Sequence, residues 1–177
     1  TIFNGLEVVL ARGEKIALLG PNGVGKSTLI KCITRQTEYD GQIEYGHNVR
    51  VGYFAQDAAE QLDPEKTVFK TIDDIAVGEK RKDIRSILGA FLFSGEDSEK
   101  QVKVLSGGER TRLAICKLLF EDFNFLIMDE PTNHLDIQSK EILKDALGNY
   151  EGTLLLVSHD REFLDGLSNK IWEIREG

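Results

Sequence analysis

Residues 20–28 read GPNGVGKST, a match to G-x-x-x-x-G-K-[ST]. The loop follows the apolar run EKIALLG (14–20) and opens a helical run near Lys26. A buried strand, a glycine-rich turn and a helix N-terminus in that order make a phosphate cradle, the P-loop. In it Gly20, Asn22, Gly23 and Gly25 shape the turn, and the N–H groups of Gly23, Gly25 and Lys26 would wrap the phosphates with help from the helix dipole. Lys26 is placed to reach the β- and γ-phosphates and Ser27 to ligate Mg²⁺, with Thr28 closing the motif. With ordinary glycine usage the pattern alone should arise by accident in on the order of one in a hundred chains of this size. The flanking strand and helix lower that further, so the chain is read as a nucleotide binder.

Two more apolar runs end in polar residues, FLIMDE (125–130) and TLLLVS (153–158). They read as buried parallel strands with functional residues at their carboxyl ends. Leu6, Val8 and Leu10, then Ile43 and Tyr45, then Val49, Val51 and Tyr53 alternate with other residues and suggest half-exposed antiparallel strands. Between Gln56 and Leu105 the character changes. Ile84, Ile87, Leu88, Phe91 and Leu92 follow helical spacing. The expected fold is therefore α/β: a P-loop NTPase core with a mostly parallel sheet, a small antiparallel β subdomain, and a helical lobe inserted over 57–104. At 177 residues and 41% hydrophobic the chain can bury one core, so residues 1–177 are taken as a single domain. A start at Thr1 and an end just past a strand suggest a fragment of a longer protein.

No run approaches the roughly 18 apolar residues of a membrane span, and no signal-peptide pattern opens the chain. Cys32 and Cys116 fall in helix-like stretches without metal-ligand spacing and read as small hydrophobes of a reducing compartment, which places the chain in the cytoplasm. A net charge of −8 leaves no general nucleic-acid footprint. A nucleic-acid contact would need a local patch such as Lys80-Arg81-Lys82, which reads as a solvated helix face.

FLIMDEP closes its strand with Asp129 and Glu130. Successive strand residues point to opposite sides, so the two carboxylates have different tasks. Asp129 is placed to hold the Mg²⁺ shell. Glu130, held extended by the following Pro131, is placed to activate a water as general base. Gln56 is uninformative alone, His159 in VSHDREFL ends a strand on the catalytic edge but reads equally as a helix-capping or packed histidine, and Asp136 reads locally as a helix N-cap. In LSGGERTRL, Ser106 and Glu109 form a capping box, yet Gly107 and Gly108 weaken the same turn by roughly 1 kcal/mol each. Glycines there clear side chains from the free N–H groups, so an anion could approach.

Taken in order, GPNGVGKST, Gln56, LSGGE, LIMDEP, NHLD and SHD resemble the ATP-binding cassette family across essentially the whole chain. The resemblance implies ATP and Mg²⁺ as ligands, with Glu130, His159 and Gln56 in the catalytic set. It assigns Mg²⁺ to Ser27, Gln56 and Asp129. It further implies that two cassettes sandwich two ATP molecules head to tail, so that Ser106, Gly107 and Gly108 contact an ATP held by another cassette. DEPTNHLD (129–136) and GTLLLVSHDREFLD (152–165) resemble the ABC-F branch, whose members carry two cassettes, lack a membrane domain and mostly act on ribosomes or translation. LFSGEDSEKQVKVLSGGERTRL is similar to the second cassette of bacterial members, and any rRNA contact would lie outside these residues. The alternatives are the motor of a membrane transporter and a DNA-repair or chromosome-structure ATPase; the latter's coiled coils find no heptad run in 57–104. In the family the aromatic that stacks on adenine precedes the position of Thr1, and Phe3 stands too close to the core strand to replace it.

Overall fold

β3 (Phe125–Asp129) and β4 (Thr153–Val157) are buried along their whole length, as continuous apolar runs at the middle of a sheet must be. In the computed structural model, which describes residues 5–175, they lie between β2 (Val51–Phe54) and β1 (Lys15–Leu19), with β5 (Lys170–Glu173) at the far edge. The order is β2-β3-β4-β1-β5, and every pairing is parallel. Alternate strand residues serve opposite faces. Ile16, Leu18, Phe125, Ile127, Leu155 and Val157 pack on one side with Leu29 and Ile30 of helix α1 (Lys26–Ile33). Ala17, Leu126, Met128, Leu154 and Leu156 pack on the other, beneath α4 (Gly107–Phe120), α5 (Ile137–Asn149) and α6 (Arg161–Leu164).

The chain between β2 and α4 is helical: α2 (Val68–Asp73), α3 (Ile84–Ala90) and short 3₁₀ turns over 78–83, 95–99 and 102–104. Helix α3 stops before Leu92, which reverses the chain at φ 61°. Phe93 N then donates back to the Leu88 carbonyl, and Phe93 is buried. Val68, Ile72, Ile84, Leu88 and Phe93 join the same apolar cluster as the sheet residues under α4.

The antiparallel strands expected from alternation do not form among the described residues. Residues 5–14 are irregular until β1, and Ile43, Tyr45 and Val49 lie outside any strand. Val51 and Tyr53 do belong to a strand, but β2 runs parallel to β3. Alternation reports a strand with two unlike faces, and an edge strand meets that description whichever way its neighbour runs. The antiparallel pairing that is seen is an isolated bridge between Thr67 and Gln101. Phe3 lies outside the described residues. Cys116 is buried, and burial pushes its thiol up to about 12, so it behaves as a small hydrophobe; neither cysteine is bridged. The 3₁₀ turn carrying Lys80, Arg81 and Lys82 is solvated, with these cations paired to Asp122, Asp73 and Glu79 respectively.

Candidate active site

Because the sheet is parallel, the loops leaving the carboxyl ends of β1, β2, β3 and β4 open on one edge. They carry the P-loop, Gln56, Asp129 with Glu130, and His159 respectively.

The phosphate loop bends through left-handed backbone at Gly23 (φ 80°) and Gly25 (φ 111°). Gly20 is held by crowding as well: a Cβ there would stand 2.7 Å from the Ile174 carbonyl oxygen. Gly25 is the N-cap of α1 and brings no side chain to it, so the first N–H groups of that helix stay open to an anion. The Lys26 ammonium is buried, donating to the carbonyls of Gly20 (2.7 Å) and Pro21 (2.9 Å), and among the described residues it forms no ion pair. A buried cation beside a ring of backbone donors suits a polyphosphate.

Ser27 Oγ stands 3.5 Å from Asp129 Oδ2. Burial pushes the Asp129 carboxyl above the ordinary carboxylate range, opposed by Ser27, Lys26 and Gln56. Among the described residues no trio of His, Cys, Asp or Glu converges. A cation here would therefore depend on Ser27, Asp129, Gln56 and the phosphates themselves, the oxygen-rich donor set that a hard dication prefers. The residues fit Mg²⁺.

Glu130 departs from the extended conformation expected before proline: its φ is 50°. Two hydrogen bonds impose the turn. Its N–H continues the sheet by donating to the Val157 carbonyl (2.8 Å), and its own carbonyl immediately accepts from Asn133 N (3.2 Å). The turn tucks the carboxylate inward, 10% exposed, where burial raises its pKa. Oε2 accepts from the His159 N–H (3.3 Å). Oε1 is buried and accepts no hydrogen bond, although His159 Nε2 stands 3.3 Å away. An unsatisfied acceptor of raised basicity at the mouth of a phosphate loop is what proton removal from water needs.

The Ser106–Gly108 tip stands apart from these groups. The capping box is formed: Ser106 Oγ accepts from Glu109 N (3.2 Å) and Glu109 Oε2 from Ser106 N (2.7 Å). Ser106 and Gly107 are exposed, and among the described residues no hydrogen bond or ion pair joins the tip to the P-loop. Its neighbour is the turn 133–136, where His134 adopts φ 66° and Asp136 caps α5 by accepting from Ser139 N (2.7 Å). The reading of Asp136 from local sequence is thus the geometry found. Arg112 and Lys140 went unnoticed in the sequence. Arg112 is buried on α4, and Lys140 pairs with Asp160 (2.7 Å), the residue after His159. Periodicity offers no signal for Arg112, since residues 111–116 are all buried and Arg110 two places earlier looks equivalent.

The family described as ABC transporter matches residues 3–133. The chain is 52% identical over 167 residues to the putative ATP-binding protein YdiF of Bacillus subtilis, covering 94% of this chain and 26% of that protein. It is 44% identical to ABC transporter F family member 2 of Arabidopsis thaliana, covering 99% of this chain and 26% of the relative. It therefore spans about a quarter of the length of these relatives. Among solved structures, the complex of archaeal ribosomal stalk protein aP1 with the archaeal ribosome recycling factor aABCE1 superposes with a TM-score of 0.79 at 29% identity, covering 93% of this chain and 32% of the other. Among the described residues no helix is long and apolar enough to cross a membrane. With these relatives and a P-loop set at the carboxyl edge of a parallel sheet, the chain belongs to the ATP-binding cassette family and is an ATPase cassette of its F branch.

Proposed function

We propose that this chain supplies one half of a composite ATPase: it grips one ATP with its own P-loop and lids a second, held by another cassette, with the Ser106–Gly108 tip. The observation that carries the reading is the exposure of that tip. It is capped, free of side chains at Gly107, and, among the described residues, joined by no hydrogen bond to the chain's own phosphate loop.

Lys26 and the loop N–H groups hold the triphosphate. Ser27, Asp129 and Gln56 are the residues that would hold Mg²⁺, which when bound neutralises charge on the β- and γ-phosphate oxygens. Glu130 Oε1 takes a proton from water as the water oxygen bonds to the γ-phosphorus and the bond to the β-γ bridging oxygen breaks, leaving ADP and phosphate. His159 steadies the Glu130 carboxylate through its backbone N–H, which donates to Oε2. ATP shifts a pair of cassettes toward the closed state because only that state completes both sites. The solved neighbour described as an archaeal ribosome recycling factor supports a full-length protein that uses this closure on ribosomes, and the resemblance of residues 92–113 to second cassettes supports this chain as the second of the pair.

The full-length protein carrying Glu130→Gln should bind ATP but hydrolyse it roughly 10²–10⁴-fold more slowly. It should accumulate closed, ribosome-associated complexes in ATP, and Lys26→Ala should neither bind ATP tightly nor close. Wild-type turnover in Glu130→Gln would remove the base, and failure of the trapped protein to sediment with ribosomes would remove the translation role.

A further inference from the structure

Arg112 has no task in this chemistry, yet it is held at a cost. Its side chain lies on α4 behind the exposed tip and is only 8% exposed. Among the described residues it forms no ion pair. Nη1 donates to Ser139 Oγ at 2.8 Å, the guanidinium lies 4.8 Å over the Phe93 ring, and Nε is buried with no acceptor. The two carboxylates that feel its charge are committed elsewhere, Glu109 to the capping box and Asp136 to the cap of α5. Burying a cation without a paired carboxylate is unfavourable, and an apolar side chain of similar volume often serves folding as well or better.

Each contact of Arg112 reaches a different element. Phe93 follows α3 in the helical stretch between β2 and α4. Ser139 sits in the first turn of α5, directly behind the turn 133–136. A second fastening lies closer to the tip, where Gly108 backs so closely on the His134 carbonyl that a Cβ would stand 2.9 Å from it. The next residue of α5, Lys140, holds Asp160 beside His159. The first turn of α5 is therefore tied on one side to the tip-bearing helix and on the other to the segment that steadies Glu130.

We infer that Arg112 is a positioning residue. By bonding Ser139 it fixes the Ser106–Gly108 tip against the turn 133–136, so that the tip arrives in register over a nucleotide held by the partner cassette. This rests on the composite-site reading. Arg112 acts through Ser139 on the tip and sets the geometry of the groups that meet the nucleotide.

In the full-length protein, Ser139→Ala, Arg112→Met and Arg112→Lys should leave the Kd for ADP unchanged, because ADP is held by the P-loop without the tip. The kcat for ATP should fall roughly 10-fold to 100-fold in Ser139→Ala and Arg112→Met, the scale on which small misplacements act. Arg112→Lys should recover part of the loss. The double variant Arg112→Met/Ser139→Ala should be no slower than the slower single variant, as partners in one bond require. Ser139→Ala removes a single hydroxyl and decides the matter if Arg112→Met does not fold. Unchanged kcat in Ser139→Ala, or independent losses in the double variant, would overturn the inference. Those results would leave the composite site standing as long as the Glu130→Gln protein still accumulates closed cassette pairs in ATP, whereas failure of that protein to close would defeat the reading beneath it.

Discussion

A Cβ on Gly107 would meet nothing within 4 Å, whereas one on Gly108 would stand 2.9 Å from the His134 carbonyl oxygen. The adjacent glycines that look redundant in sequence therefore differ: Gly108 answers to the chain's own turn, while Gly107 faces open space, where the composite-site proposal puts a nucleotide held by another cassette. Gly107→Ala should leave thermal stability unchanged or raise it by up to about 1 kcal/mol, since alanine favours the helix. In the paired protein it should nonetheless impair hydrolysis by crowding the lidded phosphate. Gly108→Ala should lower stability by about 1–3 kcal/mol, because backbone must move to admit the methyl group. Melting curves of both variants with their ATPase rates test the division of labour; equal melting temperatures would contradict it. Much of the site was legible at this scale. Lys26, Ser27 and Asp129 stand where motif and strand end put them. The sign of φ at Glu130 was not legible, because the preference imposed by Pro131 is a local steric rule. The observed turn is set by the Val157 carbonyl, 27 residues away in sequence, and by Asn133. Strain of about 1–3 kcal/mol is typical of such a residue and is tolerated where surrounding bonds over-determine it.

Elements were readable when their own residues decide them. The capping box starts α4 where Ser106 and Glu109 require it, and FLIMD and TLLLV make buried strands wherever the chain places them. The direction of β2 is decided by its partner, so VGYF could not disclose it. A second local decision lies at the end of α2, where Asp74 would be opposed by the helix dipole. Lys66 (2.8 Å) and Lys70 (2.7 Å) flank its carboxylate instead and hold its pKa down to about 2. A depressed carboxyl pKa means that the folded state favours the ionised form. The stabilisation is thus present above the ordinary value of 3.8 and is lost as pH falls toward about 2. Asp74→Asn should therefore melt at a lower temperature than the wild type at neutral pH. The gap should shrink in high salt, since these groups face solvent. It should also close as the buffer is taken from pH 4 toward pH 2, and a gap that stays constant over that interval would show that the two lysines do not stabilise the folded chain.

For the whole molecule, the decisive feature is that the helical stretch between β2 and α4 shares one apolar cluster with the sheet. Leu88 of α3, fully buried, belongs with Leu113 and Cys116 of α4 and with Leu126, Met128 and Leu154 of the strands beneath. Arg112 adds a polar tie from α4 to Phe93 in the same stretch. A stretch that packs in this way cannot melt alone without exposing apolar residues of the cluster it shares with α4 and the sheet. Leu88→Ala should accordingly cost about 2–5 kcal/mol, the usual range for a buried leucine. Its effect should appear at the far side of the fold as strongly as near the mutation. Trp172, the single tryptophan, lies on β5 at the opposite edge of the sheet from β2 and packs against the other face. Its fluorescence reports the β5 edge, while far-ultraviolet circular dichroism reports the helices. In urea titrations of the chain, Leu88→Ala should move both midpoints down together, as one cooperative transition requires. If the dichroism midpoint moved while the Trp172 midpoint stayed, the helical stretch would be a separate folding unit. The tip of α4 would then have to be held by α5 and the sheet alone.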